Sequence, residues 1–342
     1  KGGIDMIPGD DAAAVERLRN AGAIILGKTN LPDFAGHGTR TNSSVAGVTL
    51  NPYNITKAPG GSSGGTATAV NASFAVLGLG TETGGSIQNP SSAQALVGVK
   101  PTYGLVPIEG VYPLNGSYVD VVGPMARNVY DAAVTLDIIA GPTTEDFATF
   151  AAVDHIPDSG YVSALAEAAI TGKRFGLVGP GWRDRWLPLD STTETVYRAA
   201  VSTLTDLGAV VIEDPFLGSG FIELYSERPS VPSQSTYDRR IYLQGLGPDA
   251  AFQSIAEWEE LSGEVFRRAN SGEDERRRTL PARPSATEEG DAFQSWRMEI
   301  RTLFRNVMAD HELDALFFPQ AGAPNRDLIE DPERPDYNPN NW

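Results

Sequence analysis

Short apolar runs alternate with amphipathic segments along most of the chain, and this alternation is typical of an α/β protein. Residues 10–22 have helical spacing that begins at an aspartate and ends at a glycine, which predicts the first helix. The apolar residues 23–27 that follow predict a short buried strand. Small residues over 64–75 predict a tightly packed helix, and residues 76–81 predict the next strand. Helix-then-strand units of this kind predict a sheet that is covered by helices.

The same alternation continues in the second half, which becomes more helical and more charged from about residue 216 to residue 311. Residues 271–291 are polar and charged, which predicts a solvated surface loop. The tail 325–342 is rich in Asp, Pro and Asn and has no core pattern. Helices are predicted over residues 128–139, 194–207, 252–266 and 293–308, and strands over 175–178, 208–212 and 313–319.

Length and charge limit the classes of protein to consider. The 342 residues, 41% of them hydrophobic, allow a sizeable core in one large α/β domain or in two domains. Because no apolar run approaches the roughly 20 residues of a membrane span, we expect no membrane span. The net charge of −17 repels phosphate backbones, and we therefore expect no nucleic-acid partner.

The scarcity of cysteine and histidine excludes several kinds of site. The chain has no cysteine, so thiol catalysis, disulfides and cysteine-bound metals are excluded. Its three histidines, His37, His155 and His311, are scattered and have no metal-ligand spacing. None of them has the sequence context of a Ser-His-Asp triad. We therefore expect no metal and no cofactor.

The sequence does not decide between a cytoplasmic and a secreted location. The chain begins Lys1-Gly2-Gly3 without a start methionine or an apolar leader, and we expect that it starts in the middle of a longer protein. Four Asn-x-Ser/Thr sequons, an excess over chance, favour secretion. A cytoplasmic or a secreted location is compatible with these observations. The sequons begin at Asn42, Asn54, Asn71 and Asn115.

Two glycine-flanked serine motifs are the most informative chemical feature. The sequence of residues 59–65 is Pro-Gly-Gly-Ser-Ser-Gly-Gly, and that of residues 80–88 is Gly-Thr-Glu-Thr-Gly-Gly-Ser-Ile-Gln, so Ser62 and Ser86 are 24 positions apart (86 − 62). A serine between glycines can present its hydroxyl and neighbouring N–H groups to a bound carbonyl. The first motif alone also fits an anion-binding turn, although the lysine of a phosphate loop is absent. The two motifs together favour acyl transfer.

In this order the motifs resemble those of the amidase signature hydrolases, and the resemblance extends from about residue 8 to residue 140. It implies the amidase signature fold, an α/β fold with a central mixed β-sheet flanked by helices on both faces. One large domain would span residues 1–342, with a signature core over 1–140 and a variable helical segment on the substrate side over 216–311. The chain would lack N- and C-terminal parts of the family. Other matching stretches are residues 21–30, 42–43, 51–53, 98–104 and 123–127.

The resemblance also implies roles for individual residues. Ser86 would be the nucleophile and Ser62 the bridging serine of a Ser-cisSer-Lys triad, with a cis peptide bond before Ser62. Ser63 would be a supporting hydrogen-bonding residue. The oxyanion hole would consist of the main-chain N–H groups of Thr83, Gly84, Gly85 and Ser86, and candidates for the substrate pocket are Phe34, Gly36 and His37.

The lysine of the triad is the one member that the resemblance does not locate. A serine hydroxyl needs a base, and a lysine kept neutral by desolvation can serve. Lys1 is followed by two glycines and fits the family pattern poorly, whereas Lys28, Lys57 and Lys100 match other, structural positions of the family. We therefore expect the base upstream of residue 1.

The sequence thus predicts an enzyme that hydrolyses a carboxylic amide, or an ester, through a serine acyl-enzyme. A small-molecule or peptide-like amide is the expected substrate, and the oligomeric state stays open. Two alternatives remain: a glutamine-hydrolysing transamidase component similar to the A subunit of the tRNA amidotransferase, and a non-catalytic relative. Glu82 and Gln88 stand where many relatives have Asp and Arg, which leaves the substrate class open.

Overall fold

Two sheets, each with helices packed against it, account for most of the regular structure. The computed structural model describes residues 7–166, 169–230, 235–263 and 287–328. The helices are α1 (Ala13–Asn20), α2 (Gly64–Asn71), α3 (Gln88–Ala93), α4 (Val129–Ile139), α5 (Gly160–Ala166), α6 (Pro180–Arg183), α7 (Ser191–Asp206), α8 (Phe221–Ser226), α9 (Ser235–Gly245), α10 (Ile255–Ser262) and α11 (Glu288–Asp310). The strands are β1 (Asn42–Ser43), β2 (Gly47–Val48), β3 (Leu77–Glu82), β4 (Val97–Gly98), β5 (Val121–Ala126), β6 (Arg174–Leu177), β7 (Val210–Ile212) and β8 (Ala315–Phe317).

The chain divides into two units by the density of its internal contacts. The first unit comprises Lys1–Ala166, Ser233–Arg283 and Asn325–Pro335. The second unit comprises Glu167–Pro232, Pro284–Pro324 and Asp336–Trp342. The arrangement as one domain over 1–342, with a core over 1–140 and a substrate-side segment over 216–311, stays a prediction.

The sheet of the first unit positions both serine motifs. It is antiparallel with strand order β3-β5-β4, and Leu79 of β3 lies opposite Pro124 of β5. All six residues of β5 are buried, and α2 packs on β3 and β5. Ala67 of α2, Ile87, Val121 and Met125 form the apolar cluster beneath the serine loops. A side chain at Gly80 would meet the Met125 sulfur at 2.8 Å, so the close approach of β3 to this cluster requires glycine.

A second apolar cluster joins α1 and α4 in the same unit. Arg17 fixes this contact, because its guanidinium donates to the carbonyls of Ile139 (2.7 Å), Gly141 (3.0 Å) and Pro142 (2.8 Å) at the end of α4. These carbonyls have no partner within their own helix, and a cation is favourable there. The buried members of the cluster are Ala14, Leu18, Val106, Val122, Leu136 and Ile139.

The second unit contains a parallel sheet with strand order β7-β6-β8. The Tyr197 hydroxyl of α7 donates to the carbonyl of Phe317 at 3.0 Å and accepts from the N–H of Val178 at 3.2 Å, which connects the helix to the ends of β6 and β8. Trp182, Phe216, Phe221 and Val307 form an aromatic cluster that includes α11. The α/β class predicted from the sequence is confirmed in both units.

Most of the predicted helices and strands are present, but the prediction of a strand over residues 23–27 is wrong. These residues have no strand partner in the described part of the chain, and Ile24 and Leu26 are 85% and 73% exposed. An apolar run can indicate a strand, but the strand forms only where another one pairs with it.

The predicted ends of several segments also change. Helix α11 begins at Glu288, five residues before the predicted start, because the Thr287 hydroxyl accepts from the Gly290 N–H and caps the helix. Helix α10 is shorter than the predicted 252–266 and ends before Gly263, which has a φ of +67°. Residues 264–266, most of the predicted loop 271–291 and the tail from 329 lie outside the described residues.

The beginning of the predicted coreless tail is ordered against the first unit. The N–H of Ala58 donates to the Arg326 carbonyl at 2.9 Å, and the N–H of Leu328 donates to the Thr56 carbonyl at 2.8 Å. Lys57 forms an ion pair with Asp327 at 2.6 Å. Among the residues described, none of the helices is both long enough and apolar enough to span a bilayer.

We predict that Ile87→Ala destabilises the protein far more than Ile24→Ala. Ile87 is fully buried beneath the serine loops, whereas Ile24 is exposed. The first change removes packed methyl groups and should lower the free energy of unfolding by about 2–5 kcal/mol. The second should change it by no more than about 0.5 kcal/mol. Urea titrations of the two variants measure the difference, and equal values would contradict the core described here.

Candidate active site

The two serine motifs meet through a main-chain hydrogen bond. The N–H of Ser63 donates to the carbonyl of Ser86 at 3.3 Å. The Ser63 hydroxyl donates to the Thr81 carbonyl and accepts from the Thr81 N–H, both at 3.1 Å. Ser63 therefore fixes the first serine loop to the end of β3 and to the second loop. Its supporting role in catalysis stays a prediction.

The first serine loop is packed so closely that glycine is required before Ser62. A Cβ atom at Gly61 would lie 2.7 Å from the carbonyl oxygen of His37 and 2.6 Å from that of Arg40. Gly60 has a φ of +78°, a backbone conformation that favours glycine. The Gly61–Ser62 peptide bond is cis, as the family resemblance implies, and Ser62 is buried.

Glu82 closes the second serine loop. Its side chain is 2% exposed, and Oε2 accepts the N–H groups of Ile87 (2.8 Å) and Gln88 (3.0 Å) at the start of α3. Its other oxygen, Oε1, accepts from the side-chain amide of Gln88 at 2.5 Å. These first N–H groups of a helix have no partner within the helix, and a carboxylate is a strong acceptor for them. Glu82 thereby holds together both ends of the turn that contains Ser86.

The turn between Glu82 and α3 leaves a run of main-chain donors available. Gly85 has a φ of +108°, and a Cβ at Gly84 would meet nothing within 4 Å. Across the described residues, no protein acceptor binds the main-chain N–H of any residue from Thr83 to Ser86. Free N–H groups next to a serine are what an oxyanion hole requires. The assignment of Thr83, Gly84, Gly85 and Ser86 as oxyanion donors stays a prediction.

The hydroxyls of the two catalytic candidates are not hydrogen-bonded to each other in the described part of the chain. No hydrogen bond joins Ser62 Oγ and Ser86 Oγ in the described residues, and the direct connection between the loops is that of Ser63 with Ser86. Catalytic hydrogen bonds are often long in a free enzyme and shorten only when substrate binds. The nucleophilic role of Ser86 and the bridging role of Ser62 stay predictions.

Asp120 anchors the far side of the second loop. Its Oδ1 accepts from the Thr83 hydroxyl at 2.6 Å, and its Oδ2 accepts from the N–H groups of Leu114 and Asn115, both at 2.7 Å. The carboxylate is buried immediately before β5. It therefore connects the turn that contains Ser86 with the loop over residues 112–118.

The three pocket candidates lie in the loop that contacts the first serine motif. Gly38 of this loop accepts a hydrogen bond from the Asn89 side chain of α3. His37 Nδ1 accepts from the N–H groups of Thr39 (3.2 Å) and Arg40 (3.1 Å), and burial and the Arg40 charge lower the pKa of His37. Phe34, in the short turn Asp33–Ala35 that ends before Gly36, is 42% exposed. A pocket role for Phe34, Gly36 and His37 stays a prediction.

The lysines of the described residues do not have the environment of a neutral base. Lys57 and Lys173 form ion pairs with Asp327 (2.6 Å) and Asp314 (2.8 Å). Lys28 and Lys100 are exposed. None of these four lysines is buried. Within the same residues, no group of three or more histidines and carboxylates is placed to hold a metal ion.

Glu82 and Asp120 are the site residues whose roles the sequence did not reveal. Both act as acceptors for groups of the second loop rather than as reacting groups. Glu82 stands six positions before Gln88 (88 − 82), outside the N-cap position of α3, so no local capping signal marks it. No local signal distinguishes Asp120 either, because its partners come from two separate segments, Thr83 in one and Leu114 and Asn115 in the other.

Comparison with protein families matches residues 3–339 to the Amidase family. The A subunit of the glutamyl-tRNA(Gln) amidotransferase of Prochlorococcus marinus strain NATL2A is 38% identical over 325 residues, which are 93% of this chain and 63% of that protein. The corresponding protein of Solidesulfovibrio magneticus is 44% identical over 203 residues, which are 59% of this chain and 40% of that protein. The chain therefore spans less than two-thirds of the length of these relatives.

Solved structures of a peptide amidase and of an amidotransferase A subunit superpose on this chain. The native peptide amidase of Stenotrophomonas maltophilia gives a TM-score of 0.67 at 32% identity and covers 92% of this chain and 64% of its own. The A subunit of the glutamyl-tRNA(Gln) amidotransferase of Thermotoga maritima gives a TM-score of 0.64 at 26% identity, with 94% and 64% covered. These similarities confirm the fold expected from the sequence.

We predict that Glu82→Ala destabilises the protein by roughly 2–4 kcal/mol, because three donors lose a charged, buried acceptor. Glu82→Gln is the matched control: its amide oxygen can still accept the N–H groups of Ile87 and Gln88, so the loss should be less than half as large. Urea titration of both variants at pH 7 measures the difference. A wild-type free energy of unfolding in Glu82→Ala would show that the carboxylate does not hold the loop.

Proposed function

Because this chain belongs to the amidase signature family, we propose that it hydrolyses a carboxylic amide, or an ester, through an acyl-enzyme on Ser86. The observation that supports this proposal most directly is the position of Ser86 at the end of a turn whose main-chain donors bind no acceptor among the residues that the structure describes. These donors are fixed before substrate arrives, since Glu82 and Asp120 hold the turn at both sides. Preorganised donors of this kind stabilise developing negative charge without reorganisation.

In the proposed reaction, Ser86 Oγ attacks the carbonyl carbon of the amide and loses its proton through Ser62 to the base. The carbonyl oxygen becomes an oxyanion that accepts from the N–H groups of residues 83–86. The C–N bond then breaks, and the departing nitrogen takes the proton, so ammonia or an amine leaves. A water molecule attacks the acyl-Ser86 ester by the same route, which releases the carboxylic acid and restores the serine.

The base of this scheme is a lysine that lies outside the described residues. The four described lysines are exposed or partly exposed, and two of them are held in ion pairs. The buried position of Ser62 between the first loop and its neighbours suits a relay residue, because a proton on its hydroxyl is shielded from bulk water.

A small-molecule or peptide-like amide is the proposed substrate. The similarity to the peptide amidase of Stenotrophomonas maltophilia, at 32% identity, supports this class. The net charge of −17 argues against a direct role on a nucleic acid. The reaction needs no metal or cofactor, since a serine, a base and main-chain donors complete the chemistry.

Hydrolysis of glutamine within a transamidase complex is the second candidate function. It is favoured by the 38% identity over 93% of this chain to the amidotransferase protein of Prochlorococcus marinus. The two candidates differ in their dependence on a partner. Ammonia release from glutamine only after a partner protein is added would support the transamidase, whereas hydrolysis of simple amides by the isolated protein would support the amidase.

We predict that Ser86→Ala lowers kcat/KM on a primary amide by roughly 10³–10⁶-fold, because it removes the nucleophile. Ser62→Ala should lower kcat/KM by roughly 10²–10⁴-fold, the usual contribution of a positioned proton-transfer group. Ser202→Ala, an exposed position on α7, is the control and should leave the rate unchanged.

The same variants test the non-catalytic alternative through labelling with a fluorophosphonate, which reacts with an activated serine. Labelling of the wild type and of Ser202→Ala, with loss of the label in Ser86→Ala, is the expected result. A Ser86→Ala protein that still turns over amide would overturn the assignment. No label and no turnover in the wild-type, full-length protein would favour the non-catalytic alternative.

A further inference from the structure

Three aromatic side chains from separate parts of the first unit form a continuous surface, which we call the aromatic wall. It consists of Phe34, Tyr112 and Tyr242. The ring centroids of Phe34 and Tyr112 are 6.0 Å apart in a tilted arrangement, and those of Tyr112 and Tyr242 are 5.4 Å apart edge to face. Phe34 is exposed and both tyrosines are half-buried, so part of the wall is accessible to a ligand.

The Phe34 end of the wall is connected to the first serine loop. Phe34 stands three positions before His37, and the carbonyl oxygen of His37 packs against Gly61. The same loop accepts a hydrogen bond at Gly38 from Asn89, which stands three positions after Ser86. The four residue spacings from 34 to 38 can extend no more than about 14 Å. Phe34 is therefore confined to the neighbourhood of both serine loops.

The Tyr112 part of the wall is connected to the second serine loop. Tyr112 is two positions before Leu114, whose N–H donates to Asp120 at 2.7 Å. The same carboxylate accepts from the Thr83 hydroxyl at 2.6 Å. One buried side chain thus separates the loop that bears Tyr112 from the turn that contains Ser86.

The Tyr242 end is fixed by α9. Asp238, one helical turn before Tyr242, accepts from the N–H of Ser117 at 3.2 Å and from its hydroxyl at 2.5 Å. This contact attaches α9 to the loop over residues 112–118 that also bears Tyr112. Burial raises the pKa of Asp238, and the charge of Asp120 acts in the same direction.

We infer that the aromatic wall binds an apolar, preferably aromatic, side chain of the acyl group whose carbonyl carbon Ser86 attacks. The inference rests on the proposed function and adds the substrate class to it. A planar group gains both the burial of apolar surface and ring–ring contacts against such a wall. The α-carboxylate of free glutamine gains neither, and it would lose water close to the buried carboxylates of Asp120 and Asp238. The wall therefore favours an aromatic peptide-like amide over glutamine.

The first test compares three amides with the wild-type, full-length protein: N-acetylphenylalaninamide, N-acetylalaninamide and glutamine. We expect kcat/KM to be about tenfold or more higher for the phenylalanine compound than for the alanine compound, since a tenfold ratio requires only about 1.4 kcal/mol of extra binding. Glutamine should be the poorest of the three. A ratio near one between the first two amides would overturn the wall as a subsite and leave the proposed function standing.

The second test locates the preference. Tyr242→Ala should reduce the phenylalanine-to-alanine ratio of kcat/KM to within about twofold of one, because it removes a ring that an aromatic acyl side chain would contact. Tyr242→Phe keeps the ring and should keep the ratio. Tyr130→Ala, an exposed tyrosine on α4, is the control for loss of a surface ring. An unchanged ratio in Tyr242→Ala would overturn the inference, and a wild-type enzyme that hydrolyses no amide would overturn it together with the proposed function.

Discussion

The candidate site depends on the hydrogen bond from the Ser63 N–H to the Ser86 carbonyl. This bond joins the first serine loop to the second. It forms only if the first loop approaches closely, and the glycines at 60 and 61 permit that approach where a side chain would collide with neighbouring main chain. The Ser63 hydroxyl then bonds both polar groups of Thr81, so the loop is attached to β3 at the strand from which the second loop departs. One residue therefore sets the relative position of the two serines that the proposed chemistry uses.

Two buried carboxylates complete this arrangement from the other side. A tight turn between a strand and a helix leaves main-chain donors without partners, and most proteins satisfy such groups locally. Here Glu82 binds the donors of Ile87 and Gln88 at the start of α3, and Asp120 binds the side chain of Thr83. The N–H groups between these two anchors bind no protein acceptor in the described part of the chain. The turn is thus fixed at both ends, while the N–H groups in its middle can bind a ligand. An oxyanion hole needs donors that are held in place in this way.

Much of this fold follows from local sequence signals, and the rest depends on partners that are distant in the chain. The helix from Ala13 and the strand from Leu77 were predictable from spacing and from glycine, because those signals act within a few residues. The strand over 23–27 was wrong because an apolar run does not reveal whether another strand pairs with it. The pairing of Thr56 with Leu328 joins residues 272 positions apart (328 − 56), and no periodicity reports it. The serine motifs were recognisable because each is a short continuous run of glycine and serine, whereas Asp120 binds two separate segments and leaves no motif.

Asp120 connects the loop that bears Tyr112 with the turn that contains Ser86, so substrate recognition and catalysis depend on a common residue under the proposed function. The same carboxylate binds the side chain of Thr83 and the N–H groups of Leu114 and Asn115, which follow Tyr112 closely. A ligand that displaced Tyr112 would have to move this loop, and the Asp120 side chain connects the loop directly to the turn that contains Ser86. A buried acceptor with three donors resists such movement, because each broken bond leaves an unsatisfied group. Under the proposed function, a side chain that fits the aromatic wall would leave the donors at residues 83–86 in place, and one that pushes the wall aside would displace them. The fit of the acyl side chain would then affect the rate of acylation as well as the affinity for the substrate. The reason is that Asp120 holds both the turn that stabilises the oxyanion and the loop that contacts the acyl side chain.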